Sequence, residues 1–205
     1  MSIAILGGAY NPPTLAYEKI IRLILEKGKV DEVWLMPYRR RAFGKFLGGS
    51  SEHRFKMAQL LAQPFGEQVK VSDLEIRRQG KSYTVDTLRA LQRQHPGVAF
   101  DWIIGSDILY ELSDWKEIEA LPELTQFLCV LRPGYPVDRE QLSRYGVQLF
   151  LGPRQMPDVS ASEVRRRIRL GKSVSNLVPL SIAEYIEANG LYQNQEDSDK
   201  ELPKS

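Results

Sequence analysis

The sequence predicts an α/β fold: a mostly parallel sheet with helices on both faces. Three observations carry this. Short apolar runs end in glycine or proline, as buried parallel strands do. Segments of helical period alternate with them. The chain has 205 residues, of which 42% are hydrophobic, enough for one well-buried domain at roughly 100–200 residues per domain.

The elements follow in order. Residues 2–6, SIAIL, stop at Gly7-Gly8 and read as a buried strand. After Pro12-Pro13 the period changes. Ile20, Ile21, Ile24 and Leu25 recur at helical spacing, and Thr14 is placed to cap that helix. Residues 32–36 form a second strand, ended by Pro37, which completes a βαβ unit. A helix over 51–63, capped by Ser50 or Ser51, precedes a strand at 69–72 and a helix at 84–94. Strands follow at 99–104, 127–131 and 147–151. Helices at 162–170 and 181–189 close the fold, the last stopped by Gly190. Residues 1–192 therefore read as a single domain. Residues 193–205 are polar and acidic in character and read as a disordered tail.

Composition excludes several classes. Twenty-eight Lys and Arg oppose 26 Asp and Glu, so bulk charge gives no sign of nucleic-acid binding. No run reaches the roughly 18–20 apolar residues of a membrane span, and no secretory leader is expected, which makes the cytoplasm the default. One cysteine, Cys129, and two histidines, His53 and His95, leave no thiolate cluster or histidine-rich metal site. Both histidines read as surface residues. Basic residues crowd two segments: Arg39, Arg40, Arg41 and Lys45 in one, and Arg165, Arg166, Arg167, Arg169 and Lys172 in the other.

In parallel sheets ligands bind at the carboxyl ends of strands, which makes the strand ends the site candidates. Gly7-Gly8-Ala9-Tyr10-Asn11-Pro12-Pro13-Thr14 lies between a strand and a helix. Its glycines let backbone N–H groups approach an anion, and the next helix adds its dipole. A tight strand–helix turn reads equally well. Neither G-x-G-x-x-G nor the Walker spacing is present. Val159-Ser160-Ala161-Ser162-Glu163-Val164-Arg165 offers two hydroxyls, a helix N-terminus and an arginine one turn later. That suits phosphate, or simply a capped, solvated helix with Ser162 as cap. Tyr83 and Thr84 open a helix after a glycine turn. Gly105-Ser106-Asp107 ends a strand, and Asp107 suits a ligand hydroxyl. Trp115 suits a planar ring or the core.

Together these segments resemble a known family. GGAYNPPT resembles the GG-x-F-x-P-x-H/T-x-x-H loop of the nucleotidyltransferase superfamily, and VSASEVR its I-S-S/A-T-x-I-R motif. DLEIRRQGKSYTVDTLRAL, WIIGSDIL with Trp115, LRPGYP and LVPLSIAEYIEANGLY are similar to the nicotinate mononucleotide adenylyltransferases. The resemblance runs from about residue 3 to 192, in the family's order.

It implies a Rossmann-like sheet of nucleotidyltransferase type and adenylyl transfer from ATP to nicotinate mononucleotide, yielding deamido-NAD and pyrophosphate. It implies ATP and the mononucleotide as partners, with magnesium arriving on ATP and no protein metal site. No nucleic acid or membrane is implied, and a homo-oligomer is compatible. Gly7, Gly8, Ala9 and Tyr10 would hold phosphates, and Ser160, Ser162 and Arg165 would grip them. Lys45 would add charge. Gly105 and Asp107 would lie by the adenosine, and Tyr83, Thr84 and Trp115 by the nicotinate ring. Thr14 and Tyr17 would occupy the family's catalytic pair. Tyr17 departs from the pattern, because the family has histidine there. Tyrosine donates a hydrogen bond but carries no positive charge near neutral pH. Arginines 39–41 would offset that loss, or simply form a solvated loop. A relative that binds nucleotide and regulates, with weakened catalysis, is the alternative that Tyr17 raises.

Overall fold

A computed structural model describes residues 1–39, 50–137, 139–151 and 156–193. Six parallel strands form one sheet: β1 (Ser2–Gly8), β2 (Glu32–Pro37), β3 (Val69–Val71), β4 (Ala99–Gly105), β5 (Gln126–Val130) and β6 (Val147–Leu151). Their order is β3-β2-β1-β4-β5-β6. The chain winds outward from β1 in one direction, then returns to β4 on its other side. The strand order reverses between β1 and β4, where open parallel sheets form a ligand crevice.

Alternation along β1 explains both covered faces. Ile3 and Ile5 join one core with Phe100, Trp102 and Ile104, beneath α4 (Thr84–Gln94). Ala4 and Leu6 point the other way, into a core with Ile21 and Ile24 of α1 (Leu15–Glu26) and Leu61 of α2 (Ser51–Ala62). Successive side chains of a strand point to opposite faces, and here both faces are buried. A third cluster joins Met57 of α2 to Val164 of α7 (Ala161–Arg169) and to Ile182 and Ile186 of α8 (Leu180–Ala188).

All six strands and five helices lie where the sequence places them, within a few residues. Short helices are additions: α3 (Leu74–Arg77), α5 (Leu121–Leu124), α6 (Arg139–Arg144) and a 3-10 segment at Ile108–Asp114. Of three cap readings, the second holds and the other two change. Thr14 holds the cap position of α1, but its side chain makes no capping bond. Ser50 caps α2 by accepting from His53 N. Ser160, not Ser162, caps α7: its Oγ accepts from Glu163 N at 3.2 Å. The histidines are also less exposed than expected. His53 pairs with the Tyr185 hydroxyl at 2.8 Å, and His95 packs edge-on against Trp34.

Candidate active site

A cavity of about 360 Å³ opens at the carboxyl ends of β1 and β4. Its wall brings together Gly7, Gly8, Ala9, Thr14 and Tyr17 from the first segment, and Gly105 and Asp107 from the end of β4. Tyr83, Thr84 and Trp115 complete it. Ten of the residues singled out in the sequence thus share one space.

The loop after β1 is shaped by two tyrosines. Tyr10 takes a left-handed φ of 53°, which costs a residue with a Cβ. Its side chain is wholly buried, and its hydroxyl donates to the Leu6 carbonyl at 2.5 Å. Tyr10 thus turns its side chain into the core and away from the cavity. Only its backbone remains to meet a ligand. The Tyr17 ring packs on Tyr10 at 4.7 Å, and the Tyr17 hydroxyl lies over Gly8. A Cβ at Gly8 would collide with that hydroxyl, so this position favours glycine. Burial pushes the Tyr17 phenol well above its ordinary pKa, with a smaller push from Tyr38. The hydroxyl is therefore a neutral donor at neutral pH.

The ends of β4 and β5 are laced together. Ser106 Oγ accepts from Arg132 N at 2.9 Å and donates to the Tyr135 carbonyl at 3.0 Å. Arg132 donates to Asp107 Oδ2 at 2.6 Å. The other carboxylate oxygen, Asp107 Oδ1, is buried without a hydrogen-bond partner among the described residues. Asp107 lines the cavity. Buried polar atoms are rarely left unpaired, so this oxygen marks a place where a ligand's polar group belongs.

On the far side, α4 starts at the wall. Tyr83 occupies its cap position but makes no side-chain capping bond, which leaves first-turn N–H groups available to an anion. Lys116 lies 5.2 Å from the centre of the Tyr83 ring and pairs with Asp86 at 3.0 Å. Trp115 meets Phe127 edge-to-face at 6.1 Å, so one edge is anchored in the core while the ring borders the cavity. Behind this wall Thr87 donates to the buried Glu75 at 2.7 Å, and Arg78 donates to Thr87 at 2.8 Å. Burial raises the Glu75 pKa, against the lowering pull of hydrogen bonds from Thr87 and Ser82 and of the Arg78 charge.

Ser160, Ser162 and Arg165 lie outside the cavity wall. Arg165 still meets the first loop. Arg165 is 7% exposed; its Nη1 donates to the Asn11 carbonyl at 2.7 Å, and its Nη2 to Ser162 Oγ at 3.2 Å. The Tyr192 hydroxyl donates to Asn11 Oδ1 at 2.7 Å. The two motifs, far apart in sequence, are joined at Asn11. Lys45, Arg40 and Arg41 lie outside the described residues; Arg39 is exposed.

Sequence reasoning passed over Ser82, Glu75, Lys116 and Arg132 as site residues. Three of these, Glu75, Ser82 and Arg132, stand inside segments already quoted for their resemblance, so a signal was present. Lys116 had only its place beside Trp115. Among the described residues no three His, Cys, Asp or Glu side chains converge on a metal position, and no helix is long and apolar enough to cross a membrane.

A parallel sheet with a glycine loop and a capped arginine helix meeting beyond the carboxyl end of β1 is an α/β fold of nucleotidyltransferase type. The model of the cytidylyltransferase-like family matches residues 5–167. A probable nicotinate-nucleotide adenylyltransferase of Halalkalibacterium halodurans is 32% identical over 200 residues, covering 95% of this chain and 92% of the relative. Its counterpart in Myxococcus xanthus is 34% identical over 192 residues, covering 94% and 95%. The nicotinic acid mononucleotide adenylyltransferase of Plasmodium falciparum, solved with NaAD, superposes with a TM-score of 0.81 at 23% identity, covering 93% of this chain and 97% of that one. The chain belongs to the cytidylyltransferase-like family and, within it, to the nicotinate-nucleotide adenylyltransferases.

Proposed function

We propose that the chain transfers the adenylyl group of ATP to nicotinate mononucleotide, releasing pyrophosphate and forming deamido-NAD. One observation carries this reading: a single cavity is bordered by the glycine loop on one side and by Tyr83, Thr84 and Trp115 on the other. Two nucleotides would meet end to end there. A phosphate oxygen of the mononucleotide attacks the α-phosphorus of ATP. The bond from that phosphorus to the bridging oxygen of the β-phosphate breaks, and pyrophosphate leaves with the electron pair. No covalent enzyme intermediate is needed, so the protein contributes positioning and charge.

Backbone N–H groups of Gly7, Gly8, Ala9 and Tyr10 approach the ATP phosphates, with Thr14 and Tyr17 as neutral donors. Ser160, Ser162 and Arg165 act from the α7 end, and Lys45 adds charge from outside the described residues. Gly105 and the open oxygen of Asp107 take the adenosine, whose ribose hydroxyls are the matching donors. Trp115 stacks on the nicotinate ring, and the first turn of α4 at Tyr83 and Thr84 receives its carboxylate. Magnesium enters as part of substrate ATP, held by phosphates and water. The described residues provide no three-ligand cluster for it, and no step is assigned to it. The cytoplasm is the compartment this reading implies.

One observation favours a second reading, a nucleotide-binding relative with little turnover. The Tyr17 hydroxyl, which carries no positive charge, lies over the very glycine that would approach phosphate. Steady-state assays with nicotinate mononucleotide, its amide and cytidylyl donors decide between the two. The proposed enzyme prefers the acid with ATP. ATP binding without turnover on any acceptor would establish the second reading.

A further inference from the structure

Arg54 lies outside every motif above. It sits at the start of α2 and is only 4% exposed. Its Nη1 donates to two carbonyls at once, Ala9 at 2.9 Å and Tyr38 at 2.7 Å. Its Nη2 donates to the Arg39 carbonyl at 3.2 Å. The guanidinium also lies 5.7 Å from the centre of the Tyr38 ring. Three carbonyls satisfy donors, but they do not neutralise a charge.

No carboxylate pairs with Arg54 among the described residues; the groups that act on it are the phenols of Tyr38 and Tyr192. A buried cation without a counterion is costly. Arginine resists losing its proton even when burial lowers its pKa, as it does here. The charge therefore stays, and it sits one layer behind the cavity. Ala9 and Tyr38 border that cavity, while Arg54 does not. Drawing the Ala9 carbonyl back toward Arg54 has a further effect. In a trans peptide the N–H of Tyr10 points opposite to that carbonyl, away from Arg54.

We propose that Arg54 is a positioning residue for ATP: it fastens the loop after β1 to the chain leaving β2, and it holds a positive charge behind the phosphate-binding wall that Tyr17, unlike a histidine, cannot supply. The proposal rests on the adenylyl-transfer reading for its ligand. Arg54 touches no substrate. It acts through the carbonyls of Ala9 and Tyr38, and so on the loop amides.

The test compares wild-type protein with Arg54→Met, which keeps the stem, and Arg54→Lys, which keeps charge and donors. ATP and nicotinate mononucleotide are titrated separately by calorimetry, and amide exchange is followed in peptides spanning residues 8–14, 34–39 and 84–94. Leaving the carbonyls of Ala9, Tyr38 and Arg39 without their donor predicts a loss of ATP affinity of about tenfold or more in Arg54→Met. Mononucleotide affinity should change less than about twofold by the same reasoning, because α4 carries no bond to Arg54. Exchange should rise in 8–14 and 34–39 and stay level in 84–94. Arg54→Lys should fall between wild type and Arg54→Met in both readouts. A parallel fall in both affinities, an unchanged ATP affinity, or unchanged exchange in the two loops would overturn the proposal. Should Arg54→Met lose the wild-type circular-dichroism spectrum, Arg54→Lys decides on the same two readouts. Wild-type protein that binds ATP yet forms no deamido-NAD would remove the adenylyl-transfer reading and leave these readouts to judge Arg54. Wild-type protein that does not bind ATP would overturn both.

Discussion

Adding one methyl group at Gly8 tests how the nucleotide loop is built. A Cβ there would meet the Tyr17 hydroxyl well inside contact distance, with the ring's Cζ at 3.1 Å and Cε1 at 3.2 Å. The ring cannot retreat easily, because it packs at 4.7 Å on Tyr10, which is fully buried and bonded to Leu6. Overpacking of this kind costs about 1–3 kcal/mol. A glycine-to-alanine change also restricts the unfolded chain, which returns about 0.4–1 kcal/mol. The clash wins, for a net loss of roughly 1–2 kcal/mol, or about 2–8 °C in Tm for a chain of this size. Tyr17→Phe removes the colliding oxygen and leaves only the two tight carbon contacts. Gly8→Ala should therefore cost much less in a Tyr17→Phe background. Denaturant unfolding of all four proteins gives the coupling directly, and a value of at least about 0.5 kcal/mol is expected for residues in contact. Additive effects would refute the placement of Tyr17 over Gly8.

Other consequences can be measured alongside. If the Tyr17 hydroxyl meets developing charge on phosphate, Tyr17→Phe should lower kcat by about 10²-fold in the deamido-NAD assay. Trp115→Ala should raise KM for nicotinate mononucleotide by about tenfold, the worth of one stacked ring, and leave KM for ATP within about twofold. The Glu75 carboxyl has its pKa raised in the folded state from an ordinary 4.5. Its stabilising contribution is therefore complete below that ordinary value and is lost as pH rises through the raised one. Glu75→Gln should flatten this part of the curve of stability against pH. Burial pushes the Cys129 thiol up to about 12. A disulfide reagent at pH 8 should leave it unmodified in native protein and label it promptly in denaturant.

Much of the fold was legible because its signals are local. Residues 2–6 and 99–104 are apolar runs stopped by glycine, and the helices α1 and α4 show their period in sequence. The helices α3, α5 and α6 escaped because four to six residues make too few turns to show any period. The site was legible where one segment carries its own chemistry, as the glycine loop and Tyr83-Thr84 do. It was not legible where the partner is distant. Nothing near Arg165 announces the Asn11 carbonyl, 154 residues away. Arg54, inside SEHRFKM, has the look of a solvated helix face, yet tertiary packing buries it and gives it three carbonyls. The cap of α7 moved from Ser162 to Ser160 for a simpler reason. Both serines can cap, and the helix begins one residue earlier than the pattern suggested.

The decisive experiment follows the phosphorus. Protein is incubated with magnesium, nicotinate mononucleotide and ATP labelled at the α-phosphorus, and dinucleotide and pyrophosphate are quantified together. Attack at the α-phosphorus predicts that all transferred label appears in deamido-NAD, matched one-to-one by unlabelled pyrophosphate, and only when the mononucleotide is present. Label released as AMP, or ATP bound with no labelled dinucleotide, would contradict adenylyl transfer.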